Sequence, residues 1–295
     1  MMGHNHTDND NSISRSFKIG ILINIAFIIL EVIFGIAANS VALIADAGHN
    51  FSDVVILIFS WFAIHISQRK PTNRFTYGLR RSTILVAILN TLLLLVTVGF
   101  IVWEDIARFN VEVEVRSNLV IIVASLGIAV NGFTAWLFAK GREHDLNIKS
   151  AFLHFVADML VSLGVVVGAV VISFTGLSVI DPIISLVIAG FILYGAYNLL
   201  IDSVNLALDA VPKNIDIVSI QNYFSNHKQI KSFHDLHIWA LSTSETALTV
   251  HLVVDNVIDD DFVHQIMDNL NTNFGIKHCT IQIERNGSAF CSSCN

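Results

Sequence analysis

Residues 41–66 read VALIADAGHNFSDVVILIFSWFAIHI, a run long enough to cross a bilayer that nevertheless carries His49 and Asp53. A hydrocarbon core accommodates about 20 apolar residues in one helix. An ionisable group inside such a run is costly and marks a transport path or a proton relay. His49 and Asp53 stand at i and i+4, which puts both on one face of a helix. The same pattern returns at His154-Phe-Val-Ala-Asp158, inside another apolar run, residues 150–174. Two such pairs on facing helices supply two imidazole nitrogens and two carboxylates, a set that suits tetrahedral Zn2+. A harder ion such as Mg2+ or Mn2+ favours more oxygen ligands. The competing reading is two structural polar pairs, each satisfied within its own bundle, and the repetition argues against it.

The chain around these runs has the composition of a membrane protein. Of its 295 residues 54% are hydrophobic and only 14% charged, well below the roughly 25% charge of an ordinary soluble domain. Six apolar stretches are long enough to span, at residues 17–38, 41–66, 82–103, 118–139, 150–174 and 180–204. Arg15, Lys18, Arg69, Lys70, Arg74, Arg80, Arg81, Lys140, Arg142 and Lys149 fall on one side of these spans, and only Arg108 and Arg116 on the other. The positive-inside rule puts both termini in the cytoplasm. Residues 1–16 are polar and lack the pattern of a cleaved signal. No basic patch suggests nucleic acid. Three cysteines near the end, Cys279, Cys291 and Cys294, are not a disulfide framework.

Composition changes after Asp209. Residues 215–226 read as a helix with Asn214 as its cap. Residues 230–241 and 245–255 read as strands joined by a polar turn. A second helix follows over 259–274 and a third strand over 277–285. The order α-β-β-α-β suggests a small two-layer α/β unit. The expected organisation is therefore a polar cytosolic tail (1–16), a six-helix membrane domain (17–208), a small cytosolic α/β domain (209–285) and a cysteine-containing tail (286–295). Glu31, Asn90 and Asn131 are expected to face the bundle interior. Asp46, one turn before His49, is read as a supporting acid.

The motifs resemble the cation diffusion facilitator family, in its zinc-type efflux branch. The likeness is carried by Ser40-Val-Ala-Leu-Ile-Ala-Asp46-Ala-Gly-His49-Asn-Phe-Ser-Asp53, by His154-Phe-Val-Ala-Asp158 and by Tyr77-Gly78-Leu79-Arg80-Arg81. His234-Asp-Leu-His237-Ile-Trp239 and Thr280-Ile-Gln-Ile-Glu284 extend it into the soluble part. The resemblance implies a homodimer in the lipid bilayer of the cell (inner) membrane, with six transmembrane helices per protomer and a ferredoxin-like cytosolic domain over 209–285. It implies metal export from the cytosol in exchange for protons, by a secondary transporter and not an enzyme. The His/Asp set is similar to that of zinc and cadmium carriers, whereas manganese and iron branches usually have Asp where His49 sits. It puts metal-binding residues at His234, His251 and Glu284, and makes Arg81 and Asp209 an ion pair that helps hold the dimer, as against two solvated loop charges.

Cys291-Ser-Ser-Cys294 fits zinc or redox chemistry, and some relatives use such a pair to complete a domain zinc site. Two departures stand out. The loop over 141–149 is short and has only His144 where many zinc members are histidine-rich, and Thr83 stands where the family often has Glu. His237 falls on the opposite strand face from His234 by the period of two and is not expected to share its ion.

Histidine binds metal only when neutral and carboxylate only when ionised, so metal competes with protons. That competition is the basis expected for zinc/proton antiport by alternating access. Export mainly of cadmium or cobalt, and a membrane sensor or structural metal protein that moves no ion, stay open as alternatives. A membrane metalloenzyme is disfavoured, because four good ligands leave no open position and there is no His-Glu-x-x-His motif.

Overall fold

The computed structural model describes residues 6–37, 41–108, 118–143, 145–175, 180–255 and 260–285. Six long helices come first: α1 (His6–Ala37), α2 (Val41–Ser67), α3 (Ser82–Arg108), α4 (Asn118–Phe138), α5 (Leu146–Thr175) and α6 (Ile180–Ala207). Among the described residues, Arg15–Phe34, Ser82–Phe100 and Leu146–Gly164 are long and apolar enough to cross a membrane, and Asp53–Ser67 and Ser125–Phe138 are shorter apolar stretches. Helix α1 starts at His6, well before the first apolar run at residue 17, so part of the expected polar tail is helical. No Gly or Pro interrupts the sequence between His6 and Gly20.

Helix α1 packs on α2 and α4, α3 on α6, and α5 on α4 and α6, with α2 touching α5 along a narrower contact. Phe17, Leu57, Phe138, Ile148 and Phe155 fill one buried cluster between α1, α2, α4 and α5. A second cluster, with Leu94, Val98, Ala157, Ala189 and Ala196, closes α3, α5 and α6 through small residues, which let helix backbones approach where no hydrophobic drive separates lipid from protein. Large apolar side chains such as Leu22, Leu85, Phe100 and Phe191 face outward.

Polar residues inside the bundle are tied pairwise. Asn50 Nδ2 donates to both oxygens of Glu31, at 3.0 and 2.9 Å, joining α2 to α1. Asn90 Nδ2 donates to Ser60 Oγ at 2.6 Å, joining α3 to α2. Asn24 Nδ2 donates to Thr134 Oγ1 at 3.0 Å, joining α1 to α4. Each expected interior residue, Glu31, Asn90 and Asn131, is buried.

The soluble unit contains α7 (Ile217–Ser225), β1 (Ser232–Ala240), β2 (Thr246–Val254), α8 (Asp260–Phe274) and β3 (His278–Arg285). Its sheet has the order β1-β2-β3, with β1–β2 antiparallel and β2–β3 parallel. This is the ferredoxin-like arrangement without its first strand. The parallel pair needs a crossover, and α8 supplies it. Central β2 buries Leu248, Val250 and Leu252 against Ile220 and Phe224 of α7 and Ile266 of α8. Gly275, at φ 70°, ends α8 in the left-handed region, and the Ile276 N–H reaches back to Leu270 O at 3.0 Å.

The cap of α7 is Asp216 and not Asn214. Its carboxylate accepts from the Val218 and Ser219 amides at 3.0 and 3.2 Å and from Ser219 Oγ at 2.6 Å. Ile215 N–H is instead bonded to Pro212 O at 2.9 Å, which turns the chain before the helix can start.

Leu252→Ala is expected to destabilise the soluble unit by about 2–5 kcal/mol, the cost of a cavity in a sheet core, while the 58%-exposed Val218 tolerates the same change; urea unfolding followed by circular dichroism compares them. The Ser219 hydroxyl, with the amides behind it, holds the Asp216 carboxyl below 3.8. Its stabilising contribution is therefore complete above 3.8 and is lost as pH falls through the lowered value. Thermal midpoints measured across that acid range should fall less steeply in Asp216→Asn than in the parent.

Candidate metal centres

The contact between α2 and α5 brings the two sequence motifs together. Asp53, on α2, and His154 and Asp158, on α5, are 1%, 2% and 8% exposed by side chain. His154 Nε2 lies 2.6 Å from Asp53 Oδ1 and 3.6 Å from Asp158 Oδ2. One ligand atom from each of the three fits within a 4.8 Å span. The arrangement follows from helical period: Asp158 is one turn beyond His154, and Phe155, about 100° further round the helix than His154, joins the buried cluster that also holds Leu57 of α2. The backbone of His49 belongs to α2 one turn before Asp53; its side chain, like that of Asp46, lies outside the described residues. Two carboxylates and an imidazole in so dry a place cannot all carry charge without a cation or protons between them. They form a site that either a divalent metal or protons can neutralise.

A second cluster lies on the sheet. His234 and His251 are direct partners across β1 and β2, with ring centroids 5.0 Å apart. Glu284 joins them from β3: its Oε1 lies 3.0 Å from His251 Nδ1 and its Oε2 3.6 Å from His234 Nε2. Gln282 Nε2 donates to Glu284 Oε1 at 3.0 Å and fixes the carboxylate. These three residues also offer one ligand atom each within 4.8 Å, a nitrogen and oxygen set suited to zinc. Cys291 and Cys294 lie outside the described residues.

Sequence reasoning missed Asp235. The β1–β2 register is irregular between His234 and His237, and Asp235 there takes φ 52°, a left-handed conformation that Asp adopts more readily than most residues. Its Oδ1 meets His237 Nε2 at 2.9 Å, and its Oδ2 lies 3.5 Å from His251 Nε2. His237 thus pairs with Asp235, away from the three-residue cluster. A strict period of two gives no sign of the irregularity. Cys279, read as a core position, packs against the sheet core, and burial pushes its thiol up to about 11.

At the foot of the helices, Arg81 Nη2 bonds Asp209 Oδ1. Asp209 follows α6 at φ 61°, and Ala210 N–H returns to Asn205 O at 2.9 Å, so the residue that ends α6 also carries the carboxylate. Gly78 turns the preceding loop at φ 74°, where a Cβ would meet Arg69 O at 3.1 Å. Nearby, Asp145 caps α5, accepting from the Asn147 and Ile148 amides at 2.8 and 3.2 Å. Burial raises its pKa, against the pull of the Thr243 hydroxyl bonded to it.

Residues 17–206 match the family described as the cation efflux transmembrane domain, and residues 212–286 the cation efflux protein cytoplasmic domain. The chain is 35% identical over 284 residues to the metal cation efflux system protein CzcD of Cupriavidus metallidurans, covering 96% of this chain and 90% of that one. It is 33% identical over 289 residues to the cadmium, cobalt and zinc/H(+)-K(+) antiporter of Bacillus subtilis, covering 96% and 92%. It is 34% identical over 288 residues to the zinc transporter ZitB of Escherichia coli, covering 95% and 91%. Among solved structures, the metal-bound C-terminal domain of the CzcD transporter from Cuprividus metallidurans is similar at 36% identity and TM-score 0.22, covering 24% of this chain and 99% of that one.

Proposed function

Because the chain belongs to the cation efflux family, we propose that it exports zinc from the cytosol in exchange for protons, through a site made of His49, Asp53, His154 and Asp158. It is a multi-pass membrane protein with a cytoplasmic C-terminal domain, and no enzyme. The observation that carries the reading is the convergence of Asp53, His154 and Asp158 from two helices into one buried point. The relatives, a zinc transporter and a cadmium, cobalt and zinc/H(+)-K(+) antiporter, support zinc, cadmium and cobalt as cargo and protons as a counter-ion.

The exchange follows from acid–base chemistry. With His49 as the fourth ligand, two neutral imidazoles and two carboxylates compensate a divalent ion without residual charge. Protons compete for the same lone pairs. When zinc leaves, the His154–Asp53 contact, 2.6 Å from Nε2 to Oδ1, offers a place for a proton between imidazole and carboxylate. Facing the cytosol, zinc displaces protons; facing the outside, protons displace zinc, with imidazole as the group that titrates nearest physiological pH. Rocking of the helices about α2 and α5 gives alternating access. The protein sits in the cell (inner) membrane with both termini in the cytoplasm, and the pair Arg81–Asp209 helps hold a homodimer. His234, His251 and Glu284 hold a further zinc in the cytosolic domain, with Cys291 and Cys294 close in sequence to complete it.

In sealed proteoliposomes, zinc should drive proton flux in the parent and at least tenfold less in Asp53→Ala and Asp158→Ala. Full flux in both variants would sink the site; a folded parent without flux would turn the reading to a sensor. Replacing zinc by cadmium or cobalt in the same vesicles ranks the cargo. For the sheet site, His251→Ala and Glu284→Ala should weaken zinc binding by at least the 10–100-fold that even an outer-shell change costs, read by competition with a zinc-chelating dye.

A further inference from the structure

The turn between β1 and β2 is not free in solution. Its Thr243 enters a polar junction with the ends of α3 and α5. The Thr243 amide donates to Thr83 Oγ1 at 3.1 Å. The Thr243 hydroxyl donates to Asp145 Oδ2, and the other oxygen of Asp145 caps α5. Asn147, the second residue of α5, donates through Nδ2 to Thr83 O at 3.0 Å. Thr83, Asp145 and Asn147 are all buried. Beside them Arg80, just before α3, donates to Glu245 Oε2 at 2.6 Å, at the far end of the turn. The turn is itself pinned, since Leu241 N–H bonds Glu245 O at 2.8 Å.

We propose that Thr243 is a positioning residue for transport: through Thr83 and Asp145 it clamps the cytosolic ends of α3 and α5 and so sets where α5 presents His154 and Asp158. The reasoning is geometric. Helix α5 carries two of the described ligands, and its first turn has three of its polar contacts in this one junction. A helix is stiff along its axis, so fixing its capped end fixes the height and rotation of residues two to three turns on. A buried polar network specifies one arrangement only when every member is satisfied. Without the Thr243 hydroxyl, the buried Asp145 loses a donor, and a displaced α5 becomes the better compromise.

The inference rests on α5 carrying the transport site, and the experiment separates the two ideas. Full-length parent, Thr243→Val, Thr243→Ser, Asp145→Ala and Asp158→Ala are reconstituted, and zinc uptake is measured per folded transporter. Thr243→Val should lower maximal flux about tenfold, the scale of one hydrogen bond to a carboxylate, with half-saturating zinc changed less than about twofold. Thr243→Ser, which keeps the hydroxyl, should restore flux, and Thr243→Val added to Asp145→Ala should cost little more than Asp145→Ala alone. Unchanged maximal flux with only a lower thermal midpoint would overturn the clamp, as would a change in half-saturation alone or a serine variant as slow as the valine. Full flux in Asp158→Ala would remove the transport site itself, while the Thr243 comparison would still judge the clamp by its own arms.

Discussion

The fold is governed by the cost of keeping Asp53, His154 and Asp158 dry. Two carboxylates and an imidazole surrounded by hydrocarbon demand either protons or a cation among them. Everything around the site serves that demand. The i, i+4 spacing puts His154 and Asp158 on one face of α5, the apolar cluster around Phe155 and Leu57 packs beside them, and the α2–α5 contact delivers Asp53. A site that must always be neutralised, by one kind of ion or another, is suited to exchanging the two.

On the proposed reading, the two clusters solve one coordination problem with different scaffolds. In the bundle, ligands come from successive turns of long helices, so their relation changes whenever one helix moves against another. In the sheet, His234, His251 and Glu284 come from three hydrogen-bonded strands, whose spacing is set by the ladder. The helical cluster can be opened by rigid-body motion, and the sheet cluster cannot be opened without breaking strand pairing. That difference fits a passing ion in the first and a resident ion in the second.

Much of this was legible in the residues, for identifiable reasons. Apolar runs and their charge asymmetry depend on local composition, and the paired His-x-x-x-Asp motifs depend on one helical turn. Strand alternation gave the order of the soluble unit, with boundaries within a few residues. What escaped notice depends on contacts distant in sequence or on special dihedrals. Asp235 disturbs the period of two through a left-handed residue. Asp216 displaced Asn214 as the cap because Pro212 O engages the Ile215 amide. Thr83 was noticed for the acid it lacks, and its partner Thr243 lies 160 positions away, beyond any local pattern. The polar Ser-Thr-Ser turn and an Asp one residue before a helix were the only signals of that junction.

The Glu31–Asn50 bonds have a mechanical meaning as well. Sliding α1 along α2 by a turn would strand a carboxylate in hydrocarbon, and the two helices also pack along much of their length. They therefore behave as one strut. The α2–α5 seam is narrower, and on the proposed mechanism its polar contact is made by groups that trade partners whenever cargo arrives or leaves. On that mechanism the bundle has a welded joint and a working joint, and the fastener of the working joint is the ion being carried.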